Sequence, residues 1–219
     1  SRARSLDPRD NTCETCEVAD MIGLALKLTA AGAGDHWEDV DRWVRNQFAE
    51  SQMTHDKLRR LLDNVYGKKL FEEKPVQPWE SDDLEKCIGG FTGSALPNDF
   101  GPYMQHACCS GNAARTLYWV WDSILTREAD TTRVNLLLNR ASPWLDVDSY
   151  LPNEGKVVLK IKEAPKVAVR IPEWTDREVV ACKVNGEKRE RTLSGRYAQV
   201  DGLKPGDTIA VEFPMKEKT

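Results

Sequence analysis

Cys108-Cys109-Ser110-Gly111-Asn112, running on through Leu117, Trp119, Val120, Trp121, Ile124 and Leu125, is the stretch from which the rest of the chain is read. Apolar residues recur there at helical spacing, which predicts a helix over 113–126. They occur nearly all round it, so the expectation is a buried inner helix. Just beyond, at Glu128 to Thr132, the period falls from helical to two. Val134-Asn135-Leu136-Leu137-Leu138 then reads as a strand. The switch divides the chain into a helical part, 1–130, and a β part, 131–219: an α + β chain in two parts.

Outward toward the C-terminus the alternation repeats. Val157, Leu159 and Ile161, then Val167, Val169 and Ile171, then Val180, Cys182 and Val184 each put apolar side chains on one face. Asn185-Gly186 is a hairpin-turn signal, and Lys204-Pro205-Gly206-Asp207 is the turn between strands at 197–200 and 209–213. Short antiparallel strands at this spacing predict a β-sandwich. Cys182 alternates with valines and reads as a buried structural residue.

Toward the N-terminus the pattern is helical. After a polar lead, Ser1 to Thr12, the residues Val18, Met21, Ile22, Ala25 and Leu28 predict a helix that Gly32 and Gly34 break. Asp35 is the candidate N-cap of a second helix, with Trp37, Val40, Val44 and Phe48 as core. Leu58, Leu61, Leu62 and Val65 predict a third. His36 and His55 read as solvated. Between Gly67 and Met104 the periodicity collapses into a long Pro- and Gly-punctuated loop leading straight into Cys108, a candidate wall of an active site. Trp79, Phe91, Phe100 and Tyr103 in it could pack or meet a ligand, and Cys87 reads as a spectator. His106 could anchor the loop or hydrogen-bond a ligand.

The chemistry lies in the cysteines. Cys13-Glu14-Thr15-Cys16 heads one predicted helix, and Cys108-Cys109 heads another. Helix N-termini carry unpaired N–H groups and a positive dipole end, which favour thiolate. Brought together, they would offer soft sulfur ligands and one carboxylate, a zinc set by ligand type. The spacing alone leaves a disulfide and inert buried thiols open. Six cysteines in 219 residues is far too sparse for a disulfide scaffold.

These residues resemble the signature of glycoside hydrolase family 127, the zinc-dependent β-L-arabinofuranosidases and their relatives. Glu14-Thr15-Cys16 and Cys108-Cys109 with Asn112 match it. So do Arg170-Ile171-Pro172-Glu173-Trp174, Val184-Asn185-Gly186, and Gly206-Asp207 leading to Phe213-Pro214-Met215, in the family's order. The resemblance implies that Glu14, Cys16, Cys108 and Cys109 hold one zinc ion and that Cys108 is also the nucleophile. It implies the C-terminal portion of an (α/α)6-type helical toroid followed by an antiparallel β-sandwich. Family members are longer, and their general acid/base glutamate lies upstream of the Glu-x-Cys pair. The resemblance therefore implies the C-terminal part of an enzyme acting on L-arabinofuranoside-like carbohydrate, its partner being the missing N-terminal portion. The β part would brace the helical part or bind glycan.

Two other classes stay in view. One is a non-catalytic zinc-stabilised carbohydrate-binding or interaction module. The other is a thiol-redox protein using Cys13 and Cys16, although no βαβ pattern surrounds that pair. Net charge is −4 with acids and bases interspersed, so no nucleic-acid footprint is visible. The apolar runs are too short to span a bilayer. No signal-peptide pattern opens the chain, and free thiols suit a reducing compartment such as the cytoplasm.

Overall fold

The computed structural model describes residues 13–61, 86–95 and 107–215. The chain divides into two compact units, Ser1–Tyr118 and Trp119–Thr219. Expectations for Leu62, Val65, Trp79, Phe100, Tyr103 and His106 lie outside the described residues.

In the first unit, strand β1 (Cys13–Glu14) leads directly into α1 (Thr15–Ala30). Thr15, Ala19, Ile22, Gly23, Ala25 and Leu26 form its buried stripe, the spacing of an amphipathic helix. The helix ends in a Schellman motif at Gly32, whose φ is +72°. Gly32 N–H donates to Thr29 O and Ala33 N–H to Leu28 O, satisfying carbonyls the helix leaves open. Helix α2 (Trp37–Trp43) runs into a π-turn at Val44–Phe48. His36 occupies the cap position, not Asp35, but the Asp35 carboxylate accepts the Trp37 N–H at 3.2 Å. Val40 and Phe48 are buried as expected, and α3 spans His55–Leu61.

A segment from the loop region ties these helices together. Met53 N–H donates to Gly90 O, Gly89 N–H to Met53 O, and Thr92 N–H to Ser51 O. Phe91 packs its ring 5.1 Å from that of Phe48 and is buried, so it is core and not a sugar platform. The same segment continues into β2 (Ser94–Ala95), which pairs antiparallel with β1.

Helix α4 (Ala107–Ser123) starts earlier and stops sooner than 113–126, because Leu125–Glu128 is already a strand, β3. It is not buried all round. Cys109, Ala113, Thr116, Val120 and, just past its end, Ile124 lie in one buried stripe, while Leu117, Tyr118 and Trp121 are 45–61% exposed. Those three fall outside the i, i+3/i+4 stripe that packing selects.

The second unit is built on two five-stranded sheets. One has the order β10 (Thr192–Ser194), β11 (Tyr197–Asp201), β7 (Lys166–Arg170), β4 (Thr131–Val134), β3. The other has β5 (Leu145–Ser149), β6 (Lys156–Ile161), β12 (Thr208–Glu212), β8 (Ala181–Val184), β9 (Glu187–Arg189). Val157, Leu159, Ile161, Val167, Val169, Cys182, Ile209 and Val211 are buried, as their alternation required. Ala168 and Arg170 are buried too, the mark of a central strand covered on both faces.

Two strand expectations change. β4 pairs with β7 in parallel, so the first sheet is not purely antiparallel. Parallel neighbours need a long crossover, and the chain between them makes the β5–β6 hairpin of the other sheet. β4 also ends at Val134 instead of running to Leu138. Asn135 N–H donates to Ile124 O (2.8 Å), and its side-chain amide donates to Ser123 O and Thr126 Oγ1. Leu136 and Leu137 are buried from irregular backbone. The Asn185-Gly186 turn is as read: both residues have positive φ, 53° and 86°, and Val184 faces Glu187 across it.

Candidate metal centre

Two helix starts and one short strand pair build the site. Glu14 is the last residue of β1 and the N-cap of α1; Cys16 is the second residue of α1. Cys108 and Cys109 are the second and third residues of α4. Cys16 Sγ lies 3.3 Å from Cys109 Sγ, and further along the same two helices Arg115 pairs with Asp20 at 3.1 Å. The helices therefore run in the same sense, and their positive dipole ends converge on one place.

The 91–95 segment fixes both starts. Thr15 N–H donates to Gly93 O (3.2 Å), and the buried Thr15 hydroxyl donates to Thr92 O at 2.7 Å. Phe91 N–H donates to Ser110 Oγ at 3.1 Å. Cys109 Sγ lies 3.8 Å from Gly93 O, in donor range for a thiol. One strand-like segment thus positions α1 and α4 together.

One ligand atom from each of Glu14, Cys16, Cys108 and Cys109 can be chosen so that all four lie within 4.8 Å of one another. Cys109 is the buried floor, Cys16 is half-buried, and Glu14 and Cys108 are exposed. All six cysteines are free, and sulfurs 3.3 and 3.8 Å apart are well beyond a disulfide bond of about 2.05 Å. The Cys13 thiol is exposed and is not one of the four; the sulfur set against Cys16 is that of Cys109.

Burial raises the Cys109 thiol strongly, and contacts with Cys16 and Cys108 push the same way. Burial also raises Cys16, opposed by a hydrogen bond from the Asn112 side chain. Burial thus favours the neutral thiol at both sulfurs. A divalent cation would reverse that balance, because a coordinated thiol is deprotonated outright. The donor set fits such a group. Ligands placed tetrahedrally about 2.3 Å from a zinc ion stand about 3.8 Å apart. The Cys108–Cys109 separation is 3.8 Å, and the Cys16–Cys109 pair would open by a few tenths.

Asn112 and Thr15 belong to the signature that carries the resemblance, but it assigns neither a task, and Gly93 stands outside it. Asn112 stands one helical turn beyond Cys108, a spacing that places it on the same face of α4. Gly93 acts through its carbonyl, which no side-chain pattern announces.

The sequence profile described as the GH127 β-L-arabinofuranosidase middle domain matches residues 132–215. No curated protein matches the chain. Among solved structures, a GH127 β-arabinofuranosidase is similar over 93% of this chain and 32% of its own, with 19% identity and a TM-score of 0.63. A GH127 β-L-arabinofuranosidase from Geobacillus stearothermophilus T6 aligns over 94% of this chain and 43% of its own, with 15% identity and a TM-score of 0.46. A protein described as a glycoside hydrolase aligns over 55% of this chain and 22% of its own, with 25% identity and a TM-score of 0.45. The chain spans less than half the length of each of these three. The second of the two units carries the profile match almost throughout, and this part of the chain is similar to the middle domain of glycoside hydrolase family 127.

Proposed function

We propose that the chain is a portion of a retaining, β-L-arabinofuranosidase-like glycoside hydrolase, in which Glu14, Cys16, Cys108 and Cys109 hold one zinc ion and Cys108 is the nucleophile. In this reading residues 1–130 belong to an (α/α)6-type toroid and residues 131–219 form a β-sandwich. The observation that carries it is the convergence of three sulfurs and a carboxylate at two helix N-termini, in a chain similar to this family.

Zinc, when bound, supplies the charge that keeps its thiol ligands deprotonated near neutral pH. The chain's own residues do the rest. Cys109 forms the buried floor, and Asn112 orients the Cys16 sulfur. Cys108 is the cysteine of the cluster that is open to solvent, and so to a sugar. Its sulfur attacks the anomeric carbon as the glycosidic oxygen leaves with a proton. Water then displaces the sulfur from the opposite side, and two inversions restore the configuration. A thiolate here replaces one of the usual two carboxylates. The proton for the leaving oxygen must come from a separate acid, which the family resemblance puts upstream of Glu14.

The test compares turnover of an aryl β-L-arabinofuranoside by this chain, by a form extended upstream, and by that form carrying Cys108→Ser. Activity in the extended form that Cys108→Ser abolishes supports the reading. Full activity in that variant would end the nucleophile assignment, and zinc without turnover in every form would favour the non-catalytic module.

A further inference from the structure

A separate cavity of about 360 Å³ opens in the second unit, where Trp121, the 139–141 segment and the outer face of β5–β6 meet. Small-ligand sites typically enclose about 300–1,000 Å³. It uses no residue of the thiol cluster.

Its walls are built from the sequence upward. Arg140 forms an isolated antiparallel bridge with Val147, its N–H donating to Val147 O and accepting one back at its own carbonyl. That places the Arg140 side chain against the end of α4. Its guanidinium donates to Trp121 O (2.7 Å) and Asp122 O (2.6 Å) and stacks 4.2 Å from the Trp121 ring centre. The indole is thereby held in one orientation while it stays 47% exposed. Tryptophan is a residue that folding usually buries, and an ordered exposed indole offers a large apolar face at little entropic cost.

Opposite it, Asp146 and Asp148 project from the same face of β5, two residues apart. Lys160 stands opposite Asp146 on β6 and pairs diagonally with Asp148 at 2.9 Å. Lys162 donates to Asp146 at 2.6 Å, and that contact holds the Asp146 carboxyl below the ordinary range, fixing it as an acceptor. Asn139 lines the cavity too, its side-chain carbonyl oxygen accepting the Ser149 N–H at 2.7 Å.

The charges on these walls cancel: two carboxylates, Asp146 and Asp148, face two cations, Arg140 and Lys160. A charged ligand gains nothing net from them, whereas a neutral ligand with many hydroxyls finds both donors and acceptors. We propose that this cavity is a second, non-catalytic saccharide site, taking a neutral sugar ring with its C–H face on Trp121 and its hydroxyls among Asn139, Asp146, Asp148 and Lys160.

The test is binding, so it does not depend on turnover or on metal. Amide and indole NMR of the whole chain is followed during titration with methyl β-L-arabinofuranoside, methyl β-D-xylopyranoside and methyl β-D-galactopyranoside. Galacturonate and glucosamine serve as charged probes. The expected result is saturable shifts at the Trp121 indole and at residues 139–148, with a Kd on the order of 1 mM for at least one neutral glycoside. Trp121→Ala weakens it about tenfold or more, and Asp148→Asn weakens it by several-fold with the remaining spectrum unchanged. If Trp121→Ala perturbs the fold, the Asp148→Asn comparison decides alone. No saturable shift with any neutral probe, tighter binding of a charged probe, or binding indifferent to Asp148→Asn would overturn the proposal.

Discussion

Cys16 Sγ and Cys109 Sγ stand 3.3 Å apart although 93 residues separate them in the chain. Both sit in the first turn of a helix, and burial raises both thiols. Two crowded neutral thiols at converging positive helix ends are a poor arrangement for a metal-free fold and a good one for a soft divalent cation.

The Asn112 amide should therefore matter to the metal without touching it. Asn112→Ala removes the donor that orients Cys16 and should weaken zinc about 10–100-fold, the usual effect of losing an outer-shell partner. Competition with a chromophoric chelator measures it. Unchanged affinity would mean that Asn112 plays no part in holding the cluster.

Asn135 is a structural counterpart in the second unit. It is 2% exposed, donates to Ser123 O and Thr126 Oγ1, and accepts the Tyr197 hydroxyl at 2.8 Å. Asn135→Ala leaves buried partners unpaired and should cost about 2–3 kcal/mol in chemical denaturation, against about 1 kcal/mol for Tyr197→Phe. Additive losses in the double variant would show that the two side chains do not act through each other.

Gly155 shows how closely β6 is approached. A Cβ there would collide with Phe213 O, while Phe213 N–H donates to Gly155 O at 2.8 Å. Gly155→Ala must push the C-terminal segment off the sheet, a loss of about 2 kcal/mol or more. Thermal unfolding of the variant checks this, and an unshifted Tm would contradict it.

The Asp146–Lys162 pair predicts a pH effect. Lys162 lowers the folded-state pKa of Asp146, so the stabilisation is present above the carboxyl's ordinary value, about 3.9, and is lost as pH falls through the lowered one. Lys162→Met should lower Tm at pH 6, and its gap from the native chain should narrow as pH falls below about 3.9 and close under the lowered value. A gap constant across that range would mean that the pair contributes nothing through ionisation.

Much of this architecture was legible in the residues, for physical reasons that differ from element to element. Gly32, Asn185-Gly186 and the alternating valines of β6 and β7 announce themselves, because local backbone preference and burial agree there. The cysteine cluster was legible only through the Glu-x-Cys and Cys-Cys pairs, since nothing local says that residues 16 and 109 meet. What escaped depends on long-range partners. β4 lies parallel to β7 because the intervening chain joins the other sheet. The segment at 91–95 escaped because its work is done by backbone groups of Gly93 and Thr92.

Activity should follow the cluster and an external proton donor together. If the proposed reading holds, with Cys108 attacking and the acid upstream, this chain alone should turn over an aryl β-L-arabinofuranoside about 10²–10⁴-fold more slowly than a form extended upstream. Equal rates would place the acid within these residues, and Glu17, Glu72, Glu73 and Glu80 would be the first to replace.

The most direct measurement is zinc X-ray absorption together with metal content on freshly purified, reduced protein. The account predicts about one zinc per chain, with a first shell of three sulfurs near 2.3 Å and one oxygen near 2.0 Å, the sulfur count falling to two in Cys109→Ser. Metal content near zero with all six thiols open to titration, or a shell of nitrogen and oxygen alone, would contradict it.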